Sequence, residues 1–311
     1  MKLVQAIAAL EAVNELAQSL GVFIDEHTPL SYAPLFPGER VETEDVGEGS
    51  VPPGQALTLE RLITRALIAS ENEPANKLFE FVGWSGFRAW SQRHHLPHIR
   101  IEHRLSEFRP PREQRWTPRI TLHAQEGTVA IPEQKPELED FKESELRIGS
   151  AYRDSTGKLV HEGLDFSLKN RFDLVSAVEV LNRIGKREFR LTERQWNLID
   201  RAMTTPPMEC ALPVYSSAEW MSERFKPMMR GLLAVRPAEE WTMGNKIGEA
   251  YGFSSDMATI CHIPSGRVAH VAASIWCCAS GILNTDEYEY ESIGRPYLAL
   301  VGKHTADMLT K

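Results

Sequence analysis

The chain has 311 residues, and 42% of them are hydrophobic, which is enough for a large core in one big domain or two modest ones. Its 35 basic and 43 acidic residues give a net charge of −8, so a nucleic-acid-binding surface is not expected. No segment approaches the roughly 18 consecutive apolar residues that a membrane-spanning helix needs.

The first ninety residues have the pattern of helices interrupted by one long loop. Apolar residues from Leu3 onward recur at helical spacing, and Gly21 is a stop signal for that helix. The same residues resemble a short signal peptide, but Gln5 and Glu11 interrupt the apolar run and no cleavage site follows, so we prefer a helix. Proline, glycine and acidic residues over 25–55 predict a loop. Further helices are predicted over 58–69, 73–83 and 85–90.

The middle of the chain changes in character. Residues 97–118 form a basic, proline-rich loop. Short alternating segments, an acidic run at 133–145 and a turn predict that 119–163 is an inserted β-rich flap. Two helices are predicted after it, over 170–184 and 192–203.

The last part of the chain has the pattern of a sheet. Apolar runs at 241–247, 257–263 and 268–276 predict strands, and the tight turn at 264–267 joins the last two as an antiparallel hairpin. A closing helix is predicted over 296–309. Helices before a sheet and one helix after it predict an α/β fold, with helices packed against an antiparallel sheet.

Five polar residues stand where side chains could converge on a cleft. Lys2 begins an apolar helix, Ser70 and Asn72 lie in the break between two helices, Glu102 is in a loop, and Lys246 is on a strand. A lysine in a partly dry pocket can accept a proton, an amide can position a substrate, and a carboxylate can orient a hydrolytic water. Taken singly, each residue also has an ordinary structural explanation, such as a helix cap or a solvated loop.

The order of these residues resembles the motifs of class A serine β-lactamases, which are Ser-x-x-Lys, Ser-Asp-Asn and Lys-Thr-Gly. Residues 1–10 are similar to the helix that follows the family's nucleophile, and 57–76 to its Ser-Asp-Asn region. Residues 100–106 are similar to the Glu-x-x-Leu-Asn of its omega loop, and 245–248 stand where Lys-Thr-Gly would. The resemblance covers most of the chain, with 119–163 outside it.

The resemblance implies a β-lactamase/transpeptidase-like α/β fold, with an antiparallel sheet flanked by helices and a helical subdomain. It implies one domain over residues 1–311, interrupted by the β-rich insertion at 119–163. Because a Ser-x-x-Lys motif that ends at Lys2 places its serine two residues before Met1, we expect the domain to be incomplete at its N-terminus.

The resemblance also implies catalytic roles. Lys2 would help to deprotonate the nucleophilic serine, and Ser70 would pass the proton to the leaving nitrogen. Glu102 would activate the water that hydrolyses the acyl-enzyme, and Lys246 would provide positive charge at the substrate carboxylate.

Substrate-binding roles follow from the same motifs. Asn72 would bind the substrate's side-chain amide, and Ser106 replaces the amide that helps to hold the hydrolytic water. Gly248 follows Ile247 in the third motif, and the backbone N–H of Glu249 would be an oxyanion-hole donor. Ile247 replaces a hydroxyl-bearing residue, and losing its hydrogen bond to a carboxylate would cost about 1.5–3 kcal/mol of binding.

The implied function is that of a serine hydrolase that acts on a β-lactam or another amide or ester through acylation and deacylation. The partner would be such a small molecule, with neither a cofactor nor a nucleic acid. The alternative is a non-catalytic binding protein with the same fold, because the nucleophile lies outside these residues. The family is mostly exported, but the sequence does not determine the compartment.

Metal sites are not expected. The four cysteines, at 210, 261, 277 and 278, form no Cys-x-x-Cys pair, and we interpret the last two as core residues. His94, His95 and His98 have a spacing that could hold a metal, but a surface or stacking role is the preferred interpretation.

Overall fold

The computed structural model describes residues 1–45, 54–137, 146–210 and 222–311. Its contacts divide the chain into two compact units. Unit 1 consists of Met1–Phe141, Asn170–Phe172 and Lys186–Glu219, and unit 2 consists of Lys142–Lys169, Asp173–Gly185 and Trp220–Lys311. Each unit is therefore assembled from segments that are distant in the sequence.

The helices are α1 (Lys2–Leu20), α2 (Leu59–Ile68), α3 (Asn72–Val82), α4 (Trp84–Arg93), α5 (Pro111–Gln114), α6 (Leu174–Gly185), α7 (Glu193–Thr204), α8 (Ser222–Phe225), α9 (Pro227–Leu233) and α10 (Arg295–Leu309). The strands are β1 (Leu30–Tyr32), β2 (Ile120–Ala124), β3 (Gly127–Ile131), β4 (Arg147–Ile148), β5 (Ala151–Arg153), β6 (Leu159–Val160), β7 (Leu164–Asp165), β8 (Trp241–Ala250), β9 (Phe253–His262), β10 (Arg267–Trp276) and β11 (Ile282–Leu283). Over the described ranges, no helix is both long and apolar enough to cross a membrane.

Helix α1 lies at the centre of unit 1 and packs against α2, α3 and α7. Every residue from Lys2 to Glu11 is buried, because neighbouring helices cover its first turns on all sides. The helix ends at Gly21, whose left-handed backbone (φ 65°) is free of strain in glycine and lets its N–H cap the carbonyl of Ala17. The predicted helix and its stop at Gly21 are confirmed.

The other predicted helices of unit 1 are confirmed with small shifts at their ends. The Thr58 hydroxyl accepts a hydrogen bond from the Arg61 N–H and starts α2, as expected. Thr192 and Gln195 form a complete capping box at the start of α7. These caps fix where the helices begin, and therefore which residues stand in the breaks between them.

Strands β1, β2 and β3 form an antiparallel sheet in unit 1, in the order β1-β2-β3. Leu30 pairs with Leu122, and Ile120 pairs with Ile131. These four side chains face the interior, and they differ in how deeply they are buried. The prediction that 25–55 is only a loop is therefore wrong at β1. Three residues are too few for an alternating pattern to stand out in a segment rich in proline and acid. Residues 46–53 of that predicted loop lie outside the described residues.

Unit 2 contains a second antiparallel sheet, in the order β10-β9-β8. The β9–β10 hairpin and the closing helix α10 are confirmed as predicted. Helices α9 and α10 pack so closely that a Cβ on Gly231 would lie 1.9 Å from the carbonyl oxygen of Ala299. Together with the sheet they enclose a core of Met228, Leu232, Trp241, Met243, Ala258, Ile260, Ala273, Leu298, Ala306 and Leu309.

Helix α6 packs on the other face of this sheet. A Cβ on Gly185, its last residue, would lie 3.3 Å from the ring of His270. The neighbours of His270 on β10, Ala269 and Val271, pack instead against the core under α10. Since side chains alternate along a strand, helices cover both faces of the sheet, as the sequence predicts.

The segment 119–163 contains short strands that pair both with one another and with strands outside it. Strands β2 and β3 join β1, whereas β5 pairs with β11 as well as with β6. Strand β4 pairs with β7, which begins at Leu164. The described parts of the segment thus belong to different units, and residues 138–145 lie outside the described residues.

The helix predicted over 170–184 begins four residues later, at Leu174. Asp173 precedes it and accepts hydrogen bonds from the N–H (2.7 Å) and hydroxyl (2.9 Å) of Ser176. Asn170–Phe172 belong to unit 1, where Arg171 forms a β-bridge with Arg100. Asparagine and aspartate both favour helix starts, so the sequence pattern did not distinguish between the two positions.

Candidate active site

Lys2 is the centre of a hydrogen-bonded cluster in unit 1. Its Nζ donates to Asn72 Oδ1 at 2.7 Å, to Ser70 Oγ at 3.3 Å, and to the backbone carbonyl of Ser70. Lys2 is 8% exposed, whereas Ser70 is half-buried and Asn72 is exposed. The structure therefore brings these three predicted site residues together, as a buried lysine amino group beneath two polar side chains.

The break between α2 and α3 positions Ser70 and Asn72. Ser70 has a left-handed backbone (φ 58°), which is uncommon for a residue other than glycine, and it turns the chain sharply between the helices. Asn72 then occupies the first position of α3. Its Nδ2 donates to Ser106 Oγ at 2.8 Å, and Ser106 also has a positive φ, of 53°. Ser106 is thereby joined to the same cluster.

Arg65 supports this break from within α2. Its buried guanidinium donates to both carboxylate oxygens of Glu71, at 3.2 and 2.5 Å, and also pairs with Asp45. Burial acts to lower the pKa of Arg65, but the hydrogen bonds and charges of Glu71 and Asp45 raise it overall. Glu71 stands where the motif has aspartate, and its extra length reaches Arg65. The role of Arg65 was not predicted from the sequence, because a single arginine in a helix forms no pattern that indicates a function.

Two asparagines hold the loop that carries Glu102 and Ser106. Asn76 on α3 donates to the carbonyl of Leu105 (3.0 Å) and accepts from its N–H (2.6 Å). Asn170 Oδ1 accepts from the N–H groups of Glu102 (2.6 Å) and His103 (3.1 Å). Asn76 belongs to the quoted motif, but the role of Asn170 was missed, because it lies 68 positions from Glu102.

The side chain of Glu102 is buried and ion-paired. Its Oε2 accepts from Trp84 Nε1 at 2.7 Å and from Arg115 Nη2 at 2.9 Å. Glu102 also lines a small cavity, as does Val4 of α1. The remaining lining residues are Phe87, Arg88, Trp90, Ile99, Arg100 and Ile101. Within the described part of the chain, the side-chain hydrogen bonds of Glu102 therefore go to Trp84 and Arg115 and not to the Lys2 cluster.

The remaining predicted residues lie on β8 in unit 2. Lys246 is 7% exposed and donates to the carbonyl of Ile247 at 2.9 Å. Burial lowers the pKa of Lys246 to about 8, with Asp256 opposing and Lys226 adding to the shift. Ile247 is half-buried, and Gly248 is exposed, with open space where a Cβ would stand.

Strand β8 is an edge of its sheet as far as the described residues extend. The hydrogen bond from the Ile263 N–H to the Glu240 carbonyl (2.8 Å) sets the alternation of the β8–β9 ladder. By that alternation, the N–H groups of Ile247 and Glu249 point away from β9. The Glu249 N–H is thus directed outward, while its carboxylate accepts from Arg295 Nε (3.1 Å) and Nη2 (3.2 Å).

Residues 1–127 match the model of the beta-lactamase enzyme family. The match spans less than half of the 311 residues, so this part of the chain is similar to that family. PBP-A matches with a TM-score of 0.56 at 11% identity, over 99% of this chain and 79% of that one. The TLA-3 extended-spectrum β-lactamase matches with a TM-score of 0.53 at 13% identity, over 100% and 83% of the two chains.

A class A β-lactamase from Mycobacterium abscessus gives a TM-score of 0.52 at 13% identity, over 100% of this chain and 84% of that one. At these identities the structures establish the fold alone, and the predicted β-lactamase/transpeptidase-like fold is confirmed. No curated protein sequence matches the chain.

One polar cluster was not foreseen from the motifs. Asp256 on β9 is buried and accepts from Asn245 Nδ2 at 2.9 Å, and Asn245 Oδ1 accepts from Lys226 Nζ at 3.0 Å. Burial raises the pKa of Asp256 to about 7, although Asn245, Lys226 and Lys246 oppose the shift. Asn245 precedes the predicted Lys246 directly, so the cluster lies behind the third motif.

The histidine cluster considered as a metal site has other contacts. His94 Nε2 lies 2.8 Å from Glu11 Oε2, and its ring centroid lies 4.5 Å from that of Trp90. Among the residues that the structure describes, no group of three or more His, Cys, Asp or Glu side chains could hold a metal ion. His94 thus contacts the Glu11 carboxylate and the tilted ring of Trp90.

Proposed function

We propose that the Lys2–Ser70–Asn72 cluster is an acyl-transfer site for an amide or ester, with β-lactams in this class. The observation that carries the proposal is the buried Lys2 Nζ, which lies 3.3 Å from Ser70 Oγ and 2.7 Å from Asn72 Oδ1. A lysine held between a hydroxyl and an amide can pass a proton through that hydroxyl while the amide binds the substrate.

In the acylation step, a serine hydroxyl attacks the carbonyl carbon and its proton passes to the neutral amine of Lys2. The tetrahedral intermediate then breaks its C–N or C–O bond. The leaving atom receives a proton from Ser70 Oγ. Lys2 then gives a proton to Ser70 Oγ in its place. Asn72 is exposed and lies beside both groups, which suits it to bind the side-chain amide of a substrate.

Deacylation requires a base for the attacking water. Glu102 supplies a carboxylate on the loop that also carries Ser106, and the Ser106 hydroxyl joins Asn72 at 2.8 Å. These assignments are parts of the same proposal.

Family spacing puts the nucleophile three positions before Lys2, so the test supplies a serine there. The serine-extended chain carries Ser-Ala directly before Met1, and its matched control, the alanine-extended chain, carries Ala-Ala. Both are incubated with a fluorescent penicillin and with a p-nitrophenyl ester. Intact mass spectrometry then detects the acyl adduct, and peptide mapping locates it.

We expect the serine-extended chain to form an adduct on the added serine and the alanine-extended chain to form none. Replacing Lys2 with Met in the serine-extended chain should slow adduct formation about 100-fold or more, because proton transfer of this kind contributes that much. The absence of any adduct with both substrates would overturn the acyl-transfer proposal and favour a binding protein with this fold.

A further inference from the structure

The surroundings of Glu102 differ from those of an ordinary solvated loop carboxylate. Glu102 is 7% exposed, and its Oε2 is shared by the Trp84 indole N–H (2.7 Å) and the Arg115 guanidinium (2.9 Å). The Arg115 guanidinium also stacks on the Trp84 ring, at 4.2 Å from its centroid. The three side chains therefore form one packed group, in which each fixes the position of the others.

Within this group, the two carboxylate oxygens of Glu102 differ in their hydrogen bonding. Both donors bind Oε2, and within the described ranges no residue donates to Oε1, although Glu102 lines the cavity that Val4 of α1 also lines. A water in this cavity can therefore reach Oε1 but must compete with two donors at Oε2.

We propose that Arg115 is a positioning residue for deacylation, which holds the Glu102 carboxylate through Oε2 and leaves Oε1 for the hydrolytic water. A buried carboxylate meets its full desolvation cost unless a cation and hydrogen bonds compensate for it, and Arg115 provides both. No role follows for Arg115 from the motifs, because it lies beyond them, directly after α5. The proposal rests on the proposed function, in which Glu102 is the base for deacylation.

The step is a hydrolysis that needs no co-reactant. The water gives one proton to Glu102 Oε1, and its oxygen forms a bond to the acyl carbonyl carbon. The ester bond to the serine Oγ then breaks, and Glu102 returns the proton to that oxygen. The products are the free carboxylic acid and the regenerated serine, so atoms and charge balance.

The experiment measures acylation and hydrolysis separately in the serine-extended chain. Arg115→Met removes the guanidinium, Arg115→Lys restores a cation without the paired N–H geometry, and Trp84→Phe removes only the indole N–H. Arg112→Met is the matched control, since Arg112 is exposed on α5, which directly precedes Arg115. A fluorescent penicillin gives the rate of adduct formation, and the decay of the adduct after removal of free ligand gives the rate of hydrolysis.

We expect Arg115→Met to slow hydrolysis of the adduct about 100-fold while adduct formation changes less than about threefold. Arg115→Lys should recover part of the hydrolysis rate, Trp84→Phe should lose about tenfold, and Arg112→Met should match the parent. Adduct formation at the parental rate shows that each variant is folded.

The two proposals fail in different ways. If the parent forms an adduct, equal hydrolysis rates in the parent and in Arg115→Met overturn the role of Arg115 and leave the acyl-transfer proposal standing. Faster hydrolysis in Arg115→Met also overturns it, because Arg115 would then restrain Glu102. If no variant forms an adduct, the proposed function itself fails.

Discussion

Replacing Asp256 with Asn should remove one contribution to the pH dependence of stability between about pH 4 and pH 7. Asp256 is 2% exposed, and its Oδ2 accepts no hydrogen bond from the described residues. Burial raises its pKa from 3.8 to about 7, so the folded protein holds a proton there that the unfolded chain releases. The asparagine introduced in place of Asp256 keeps the shape of the side chain and the Oδ1 acceptor for Asn245, but it has no group that titrates.

The sign follows from proton linkage. Between the two pKa values the folded state binds more protons than the unfolded state, so raising the pH destabilises the protein. The stabilising contribution is complete below the unfolded value of 3.8 and is lost as the pH rises through about 7. A difference of about three pKa units corresponds to about 4 kcal/mol in the free energy of unfolding. Relative to the parent, Asp256→Asn should gain stability by that order between pH 4 and pH 7.

Urea unfolding at intervals from pH 4.5 to pH 7 tests this, with the free energy of unfolding compared between variant and parent at each pH. The range ends at pH 7 because the buried Lys246, with a pKa of about 8, begins to titrate above it. Asp286→Asn is the control, since Asp286 is exposed in the same unit. A constant difference between Asp256→Asn and the parent across this range would refute proton uptake by Asp256.

Three further substitutions test other parts of the structure. Ile247→Thr should tighten binding of a penicillin carboxylate by about 1.5–3 kcal/mol, measured by calorimetry, and unchanged affinity would argue against a carboxylate site on β8. Asn76→Ala should lower the free energy of unfolding by about 1–3 kcal/mol, because two hydrogen bonds to Leu105 are lost. A smaller decrease, measured by urea unfolding, would mean that water replaces these hydrogen bonds. Thr192→Ala should lower the free energy of unfolding by about 1 kcal/mol in the same assay, because the cap of α7 is lost. No change would indicate that the cap is redundant.

The sequence predicted the helices and the second sheet well, because their patterns are local. Helix α1 carries apolar residues at helical spacing and a glycine stop, and the β9–β10 hairpin has a tight turn between two apolar runs. Strand β1 was missed because its three residues are stabilised by pairing with β2, which lies about 90 positions away in the chain. Long-range pairing of this kind produces little recognisable sequence pattern in a short segment.

The same distinction holds for the site. Lys2, Ser70, Asn72 and Ser106 were found because they belong to ordered motifs. Their supports could not be found in that way, since a support is defined by its position in space. Arg65 looks like any helical arginine in the sequence, and Asn170 was assigned to a helix start, although its side chain binds the backbone at Glu102.

The backbone supplies an argument for this site that does not depend on motifs. Ser70 and Ser106 both adopt left-handed φ values, which glycine or asparagine would adopt at lower cost. Ser70 Oγ lies 3.3 Å from Lys2 Nζ, and Ser106 Oγ lies 2.8 Å from Asn72 Nδ2. Glycine at either position would relieve the backbone but would remove a hydroxyl from the cluster. Strain of this kind persists where the surrounding structure enforces it, and it concentrates at functional sites. Each of the two serines thus holds its hydroxyl group within hydrogen-bond range of one member of the Lys2–Asn72 pair despite an unfavourable backbone conformation.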